Sequence, residues 1–260
     1  MTSQLDAARA RLGGRRRSRP GPPHVVALVS GRGGSGVSLL SAVLAIRSAR
    51  SGRRTLLVDA DPWLDVQRVW LGLPAGPSLR DLAGDGPEAI VRRVHGRLEL
   101  ASFAGGEAPD RSHRALVRRV PPLFDDRDVV VVDAGARLEA VDRCVDLRVG
   151  SVVIVSGPDA IGLASTHALL KAFRARTELR PSVLLNRVRE GETELATVVL
   201  TEGATRFLGA APQVVGGVPM EPALAGGLTD GAMLAERLVD SELPEQLAAL
   251  MPRLLPWRAE

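Results

Sequence analysis

The chain has 260 residues, 45% apolar and 25% charged, which suits one large soluble α/β domain and is too short for two generous ones. Four Phe, three Trp and no Tyr argue against aromatic stacking platforms for single-stranded nucleic acid, so the core must be built from Leu, Val and Ala. The net charge of +4 is carried almost wholly by arginine, since Lys171 is the only lysine; Cys144, the single cysteine, cannot form an internal disulfide, which fits a reducing cytosol.

In chain order, residues 1–23 read as a flexible arm with Arg11, Arg15, Arg16, Arg17 and Arg19 among Gly, Ser and Pro. A solvated tail accounts for it, and non-specific contact with DNA or an acidic membrane surface is the alternative. No apolar segment follows that would make it a secretory signal, and no stretch approaches the ~20 apolar residues that span a bilayer, so the chain reads as cytoplasmic. Short continuous apolar runs then follow at His24–Val29, Arg54–Val58, Asp128–Val132, Ser151–Val155 and Ser182–Leu185, with weaker strand signals at Leu98–Ala101 and Gln213–Val215. Continuity rather than alternation predicts strands buried on both faces of a parallel sheet. Helical patterns over about 37–50, 109–120, 160–178 and 193–208 lie between them. Strand and helix alternating in this way predict one α/β domain, a mostly parallel sheet covered by helices on both faces.

The first strand ends in Gly31-Arg32-Gly33-Gly34-Ser35-Gly36-Val37-Ser38, and an apolar helix begins behind it. Glycines let backbone N–H groups turn towards a phosphate, and the helix N-terminus adds free donors and a positive dipole end. A glycine turn without a ligand is the alternative; the position between a buried strand and a buried helix favours a phosphate loop. A standard P-loop reads Gly-x-x-x-x-Gly-Lys-Ser/Thr. Here Gly31, Gly36 and Ser38 fit, but Val37 stands where the lysine belongs.

The run from Arg32 to Ser38 resembles the deviant Walker A loop of the MinD/ParA P-loop ATPases, Lys-Gly-Gly-x-Gly-Lys-Ser/Thr. Leu56-Leu57-Val58-Asp59-Ala60-Asp61-Pro62 is similar to that family's Asp-x-Asp-Pro segment. Val129–Val132 with Asp133-Ala134-Gly135 is similar to its Walker B strand. Leu184-Leu185-Asn186-Arg187 resembles the strand whose Asn reads the adenine edge, and Val218-Pro219 with Glu221-Pro222 resembles its adenine-side loop. Within the family, the loop without its lysine looks most like the actinobacterial CpaE/TadZ-like branch, which includes the septum-site-determining (Ssd) proteins. Over residues 24–240 the resemblance implies binding of ATP/ADP and Mg²⁺ by Gly31 to Ser38, Asn186 and Pro219. It also implies Mg²⁺ on Ser38 and Asp133, water oriented by Asp61, and loop support from Asp59. Arg32 keeps the positive charge of the family's early lysine, which reaches across a nucleotide-sandwich homodimer. The implied function is a positioning or recruitment factor for a pilus, secretion or division apparatus. Hydrolysis is expected to be weak or absent, and partners could bring the protein to the inner face of the membrane.

Local readings remain beside these. Asp133 could simply cap a turn, Asp61-Pro62 could be a loop and helix start, and Asn186 could be a strand-end turn residue. Asp59 and Asp61, two apart, share a face if the backbone is extended there. His24, His95, His113 and His167 lack metal-ligand spacing. Arg111, Arg114, Arg118 and Arg119 form a basic cluster that either is solvated or attracts phosphate, non-specific DNA included. In the tail Ser241–Glu260, Pro252 and Pro256 interrupt any long helix, so its leucines and Trp257 are expected to pack back on the domain without forming an autonomous membrane anchor. Two other functions compete: a nucleotide-independent scaffold with a vestigial loop, and an ATP-dependent amidoligase or synthetase, which would need the missing lysine.

Overall fold

The computed structural model describes residues 22–82, 87–103, 111–221, Leu234, Leu238 and 241–254. The arm up to position 21, the side chain of Arg111, Pro222 and the tail from Leu255 through Pro256 and Trp257 lie outside the described residues. Eight strands, β1 (His24–Ser30), β2 (Thr55–Asp59), β3 (Val91–His95), β4 (Leu98–Ser102), β5 (Val129–Ala136), β6 (Ser151–Ser156), β7 (Ser182–Val188) and β8 (Gln213–Pro219), form one sheet in the order β3-β4-β2-β5-β1-β6-β7-β8. All neighbours run parallel except β3 and β4.

The continuous apolar runs do what their pattern requires. Ala27 and Val29 face one buried cluster with Leu56, Val58, Val130 and Val132, while Val26 and Leu28 face another with Leu57, Val129 and Val131. The central strands β1, β2 and β5 therefore bury both their odd and their even residues, one set on each face of the sheet. The helices that cover it are α1 (Val37–Arg50), α2 (Val66–Trp70), α3 (Arg111–Val117), α4 (Glu139–Asp146), α5 (Ala160–Arg176), α6 (Glu192–Leu208) and α7 (Leu243–Leu254). Buried Leu40, Val43 and Leu44 of α1 lie in the second cluster; Leu163, Leu169 and Phe173 of α5 and Ala196 and Leu200 of α6 lie in the first. No helix among the described residues is long and apolar enough to cross a membrane.

Several elements differ from the sequence reading. Strand β3 was not expected: Val-Arg-Arg-Val-His is too polar for a two-faced strand, and it exists because it pairs antiparallel with β4 at the sheet edge. Exposed Arg92, Arg93 and His95 there discourage further strand addition. The short helices α2 and α4 were also missed. Strand β5 continues to Ala136, so Asp133 does not end it, because pairing with β1 and β2 carries the strand past the apolar run. Helix α7 runs through Pro252, contrary to the expectation of an interruption. The proline sits in the last turn, and burial of Leu243, Leu247, Met251 and Leu254 along one stripe outweighs its missing N–H. Cys144 is fully buried, and burial pushes its thiol up to about 12.

Candidate phosphate-binding site

The site is assembled at the carboxyl ends of β1, β2 and β5, where the strand order places successive crossovers on opposite sides of β1. Register sets Asp133 of β5 beside Leu28 of β1 and beside Asp59 of β2. The loop 31–36 leaves β1 and enters α1 through Gly36 at φ 95°, a left-handed backbone that glycine adopts readily. Space imposes the same choice, since a Cβ on Gly36 would lie 2.3 Å from Asn186 Nδ2. At Gly31 a Cβ would meet the Ser165 carbonyl of α5 at 2.5 Å. No side chain caps the start of α1 and no acidic residue occupies its first turn. Its free N–H groups and dipole therefore face a cleft of about 480 Å³. The cleft is bounded by loop 32–39, Asp61, Leu64, Gly135 and Arg187 among others. Val37 lines it and is only 6% exposed, so at the lysine position the site presents an apolar side chain.

Behind the loop lies a buried polar network. The Ser38 hydroxyl hydrogen-bonds Asp133. Gln67 Nε2 donates to Asp133 Oδ2 and to the Ser38 carbonyl, both at 2.8 Å, and the Gly135 N–H donates to Asp133 Oδ1 at 3.1 Å. Burial raises the Asp133 carboxyl above the usual range; those three donors oppose the shift and the Asp61 charge adds to it. Asp59 is fully buried and accepts from the backbone N–H groups of Asp61 at 3.2 Å and Gln67 at 3.1 Å. Its carboxyl is pushed well above the usual range, first by burial and then by Asp133 alongside. Asp59 thus fastens the chain that leads from β2 into α2 and does not line the cleft, whereas Asp61 does. Asp61 Oδ1 accepts the Trp63 N–H at 2.8 Å, and a Cβ on Gly135 would lie 3.5 Å from its Oδ2.

The remaining residues expected at the site are placed as follows. Arg32 lines the cleft and pairs through Nη2 with Asp159 Oδ2, while its Nε is buried without a partner. Asp159 also caps α5, accepting from the N–H groups of Ile161 and Gly162, both at 3.1 Å. Asn186 is 5% exposed and spends its amide on the protein: Nδ2 donates to the Ser35 carbonyl at 2.8 Å, and Oδ1 accepts the Arg187 N–H at 3.0 Å. It braces the loop while bordering a second cavity of about 240 Å³, with Leu39, Arg187, Pro219, Met220, Glu221 and Leu243. Gly33 and Gly34 are exposed at the loop tip, Gly34 at φ 77°. Of the basic cluster near α3, Arg114 and Arg118 pair with Asp146 of α4 at 2.8 and 2.9 Å, which removes part of its free positive charge.

Three contributors were not singled out from the sequence. Gln67 ties α1, α2 and β5 together, and its Oε1 is buried without a partner. Arg143 of α4 donates to the carbonyls of Ala134 at 2.9 Å and Ala136 at 3.3 Å, holding the last residues of β5 after Asp133. Burial lowers its pKa, opposed chiefly by the Asp61 charge. Arg187 lines both cavities. No spacing rule marks the first two, whose roles depend on strands that are neighbours only in space.

Residues 26–227 match the CobQ/CobB/MinD/ParA nucleotide binding domain family. The chain is 28% identical over 245 residues to the antiactivator FleN of Pseudomonas aeruginosa, covering 88% of this chain and 83% of that protein. Its fold is similar to the septum site-determining protein MinD of Pyrococcus horikoshii in complex with Mg-ADP, with TM-score 0.69 at 19% identity over 89% of this chain and 96% of that one. It is also similar to the MinC:MinD cell division complex of Aquifex aeolicus, with TM-score 0.68 at 19% identity over 91% and 97% of the two chains. With its loop, its strand order and more than half of its length accounted for, the chain belongs to the CobQ/CobB/MinD/ParA nucleotide-binding domain family.

Proposed function

We propose that this protein is a nucleotide-binding positioning or recruitment factor whose loop binds ATP or ADP with Mg²⁺ but hydrolyses ATP weakly or not at all. The observation that carries this reading is an intact backbone cradle, Gly36 to Ser38 at the uncapped start of α1, with Val37 in the lysine position. A Cβ at Gly36 would displace Asn186, which braces the loop, and the Ser38–Asp133 pair offers the hard oxygen donors that Mg²⁺ prefers. The loop and α1 N–H groups would hold phosphate oxygens, and Ser38, with Asp133 acting through water, would hold the metal. When bound, Mg²⁺ supplies charge neutralisation at those oxygens.

The chain's own residues then divide the work. Gln67 and Gly135 keep Asp133 oriented, Asp59 fixes the β2–α2 connection, and Asp61 stands at the cleft where an attacking water would be held. What is missing is a cation on the γ-phosphate. By analogy with a lost oxyanion donor, its absence costs about 3 kcal/mol of transition-state stabilisation, roughly 10²-fold in rate. Arg32 cannot replace it, in cis or across a nucleotide-sandwich homodimer, while Asp159 holds it. The kinship with the septum site-determining protein MinD favours a partner in a pilus, secretion or division apparatus, with recruitment to the inner membrane face through that partner. A nucleotide-dependent dimer of the CpaE/TadZ-like type, with its deviant Walker A loop, fits the same features.

Isothermal titration with Mg-ADP and Mg-ATP should give saturable binding that Gly36→Arg abolishes. Absence of heat with both nucleotides would leave a scaffold with a vestigial loop, for which Gly36→Arg would preserve dimerisation and recruitment.

A further inference from the structure

A polyphosphate loop without its lysine still has to balance the charge of its ligand. Among the described residues, two arginines line the cleft, Arg32 and Arg187. The first is committed to Asp159. The second is exposed, and among the described residues no ion pair or side-chain hydrogen bond engages its guanidinium.

Its backbone is as unusual as its freedom. Arg187 adopts φ 61° within β7, at a bulge where the register with β8 shifts between Asn186 and Val188. Glycine takes this left-handed conformation without steric cost, and arginine does not, so the side chain is held there by its surroundings. The holder is Asn186, whose Oδ1 accepts the Arg187 N–H while its Nδ2 grips the Ser35 carbonyl of the loop. One asparagine therefore fixes the arginine and the loop relative to each other. Bulges re-aim a side chain in this way.

Arg187 also stands where the two cavities meet. It borders the phosphate cleft with Ser38 and Leu39, and the second cavity with Asn186, Pro219 and Glu221. Asp61 borders only the cleft. A ligand with its phosphates on the loop and its base in the second cavity passes Arg187 at the phosphates nearest the sugar, away from the Asp61 side.

Resting on the nucleotide-binding reading above, we propose that Arg187 is the phosphate cation of this site in place of a lysine at position 37. It contacts the sugar-proximal phosphates, so the protein recognises a nucleoside 5′-diphosphate unit and gains little from a γ-phosphate. An arginine offers two parallel N–H donors to phosphate, which a point charge at position 37 would not.

The test is titration of the full chain with Mg-ADP and Mg-ATP, for wild type, Arg187→Ala, Arg187→Gly and Arg187→Lys. The wild type should bind the two nucleotides within about threefold of each other, and Arg187→Ala and Arg187→Gly should weaken both about tenfold or more. Arg187→Lys should keep part of the affinity. Arg187→Gly should at the same time raise the melting temperature by relieving the backbone, and a purely structural arginine would not separate binding from stability in that direction. ADP binding by Arg187→Gly equal to wild type, or ATP bound tenfold tighter than ADP, overturns this proposal while the nucleotide reading stands. A wild-type chain that binds neither nucleotide overturns both.

Discussion

Replacing Gly36 with alanine should destabilise the unliganded protein by about 3 kcal/mol, and the figure can be built from two separate local effects. At φ 95° a residue with a Cβ pays about 1–2 kcal/mol for the left-handed backbone. The new Cβ would sit 2.3 Å from Asn186 Nδ2, so the asparagine must move and its 2.8 Å bond to the Ser35 carbonyl is lost. Leaving those buried polar groups unsatisfied costs a further ~1–3 kcal/mol. For a domain of this size each kcal/mol lowers the melting temperature by about 2–4 °C, giving a drop near 10 °C by circular dichroism. A double-mutant cycle separates the parts. In an Asn186→Ala background the same substitution should cost only the backbone component, leaving a coupling of about 1–3 kcal/mol between the two positions. A Gly36→Ala protein that melts within about 2 °C of wild type, or a cycle that is simply additive, would refute the claim that Asn186 and the loop are packed against each other.

Val37→Lys restores a cation at the helix N-terminus and should raise single-turnover ATP hydrolysis about 10²-fold; an unchanged rate would mean that the lysine position does not limit the chemistry. For Asp146, burial opposes ionisation, but hydrogen bonds from Arg114 and Arg118 hold its carboxyl below the usual range. A depressed folded pKa contributes stability above the unfolded value of about 3.9 that is lost as pH falls through the folded value. Wild type should therefore be more stable than Asp146→Asn in urea melts at neutral pH, with the gap closing below about pH 4; an equal gap at both would count against the ion pairs.

Much of the architecture was legible because it follows from local patterns. Five unbroken apolar runs specify strands that bury both faces, and the order of loop, helix and strand specifies a parallel sheet with crossovers. The edge strand β3 and the short helices α2 and α4 were not legible, since their residues acquire burial or pairing only from neighbours far along the chain. Strand ends were read short at β1, β5 and β7 because polar site residues there continue the sheet through pairing and not through hydrophobicity.

For the site the division is similar. Sequence alone determined the glycine cradle, the loss of lysine at position 37, and the carboxylates at 59, 61 and 133, because these sit beside strong local signals. What the side chains do was decided by tertiary structure. Arg32 meets Asp159 across 127 positions, Asn186 holds Ser35 across 151, and Gln67 reaches Asp133 across 66. Those partners are chosen by strand order and register. Arg32 pairs with the cap of α5, and Asn186 braces the loop through Ser35, partners that no local pattern at 32 or 186 announces. Among the described residues, the free guanidinium at the cleft belongs to Arg187, exposed there by a bulge that exists only once β7 lies beside β8.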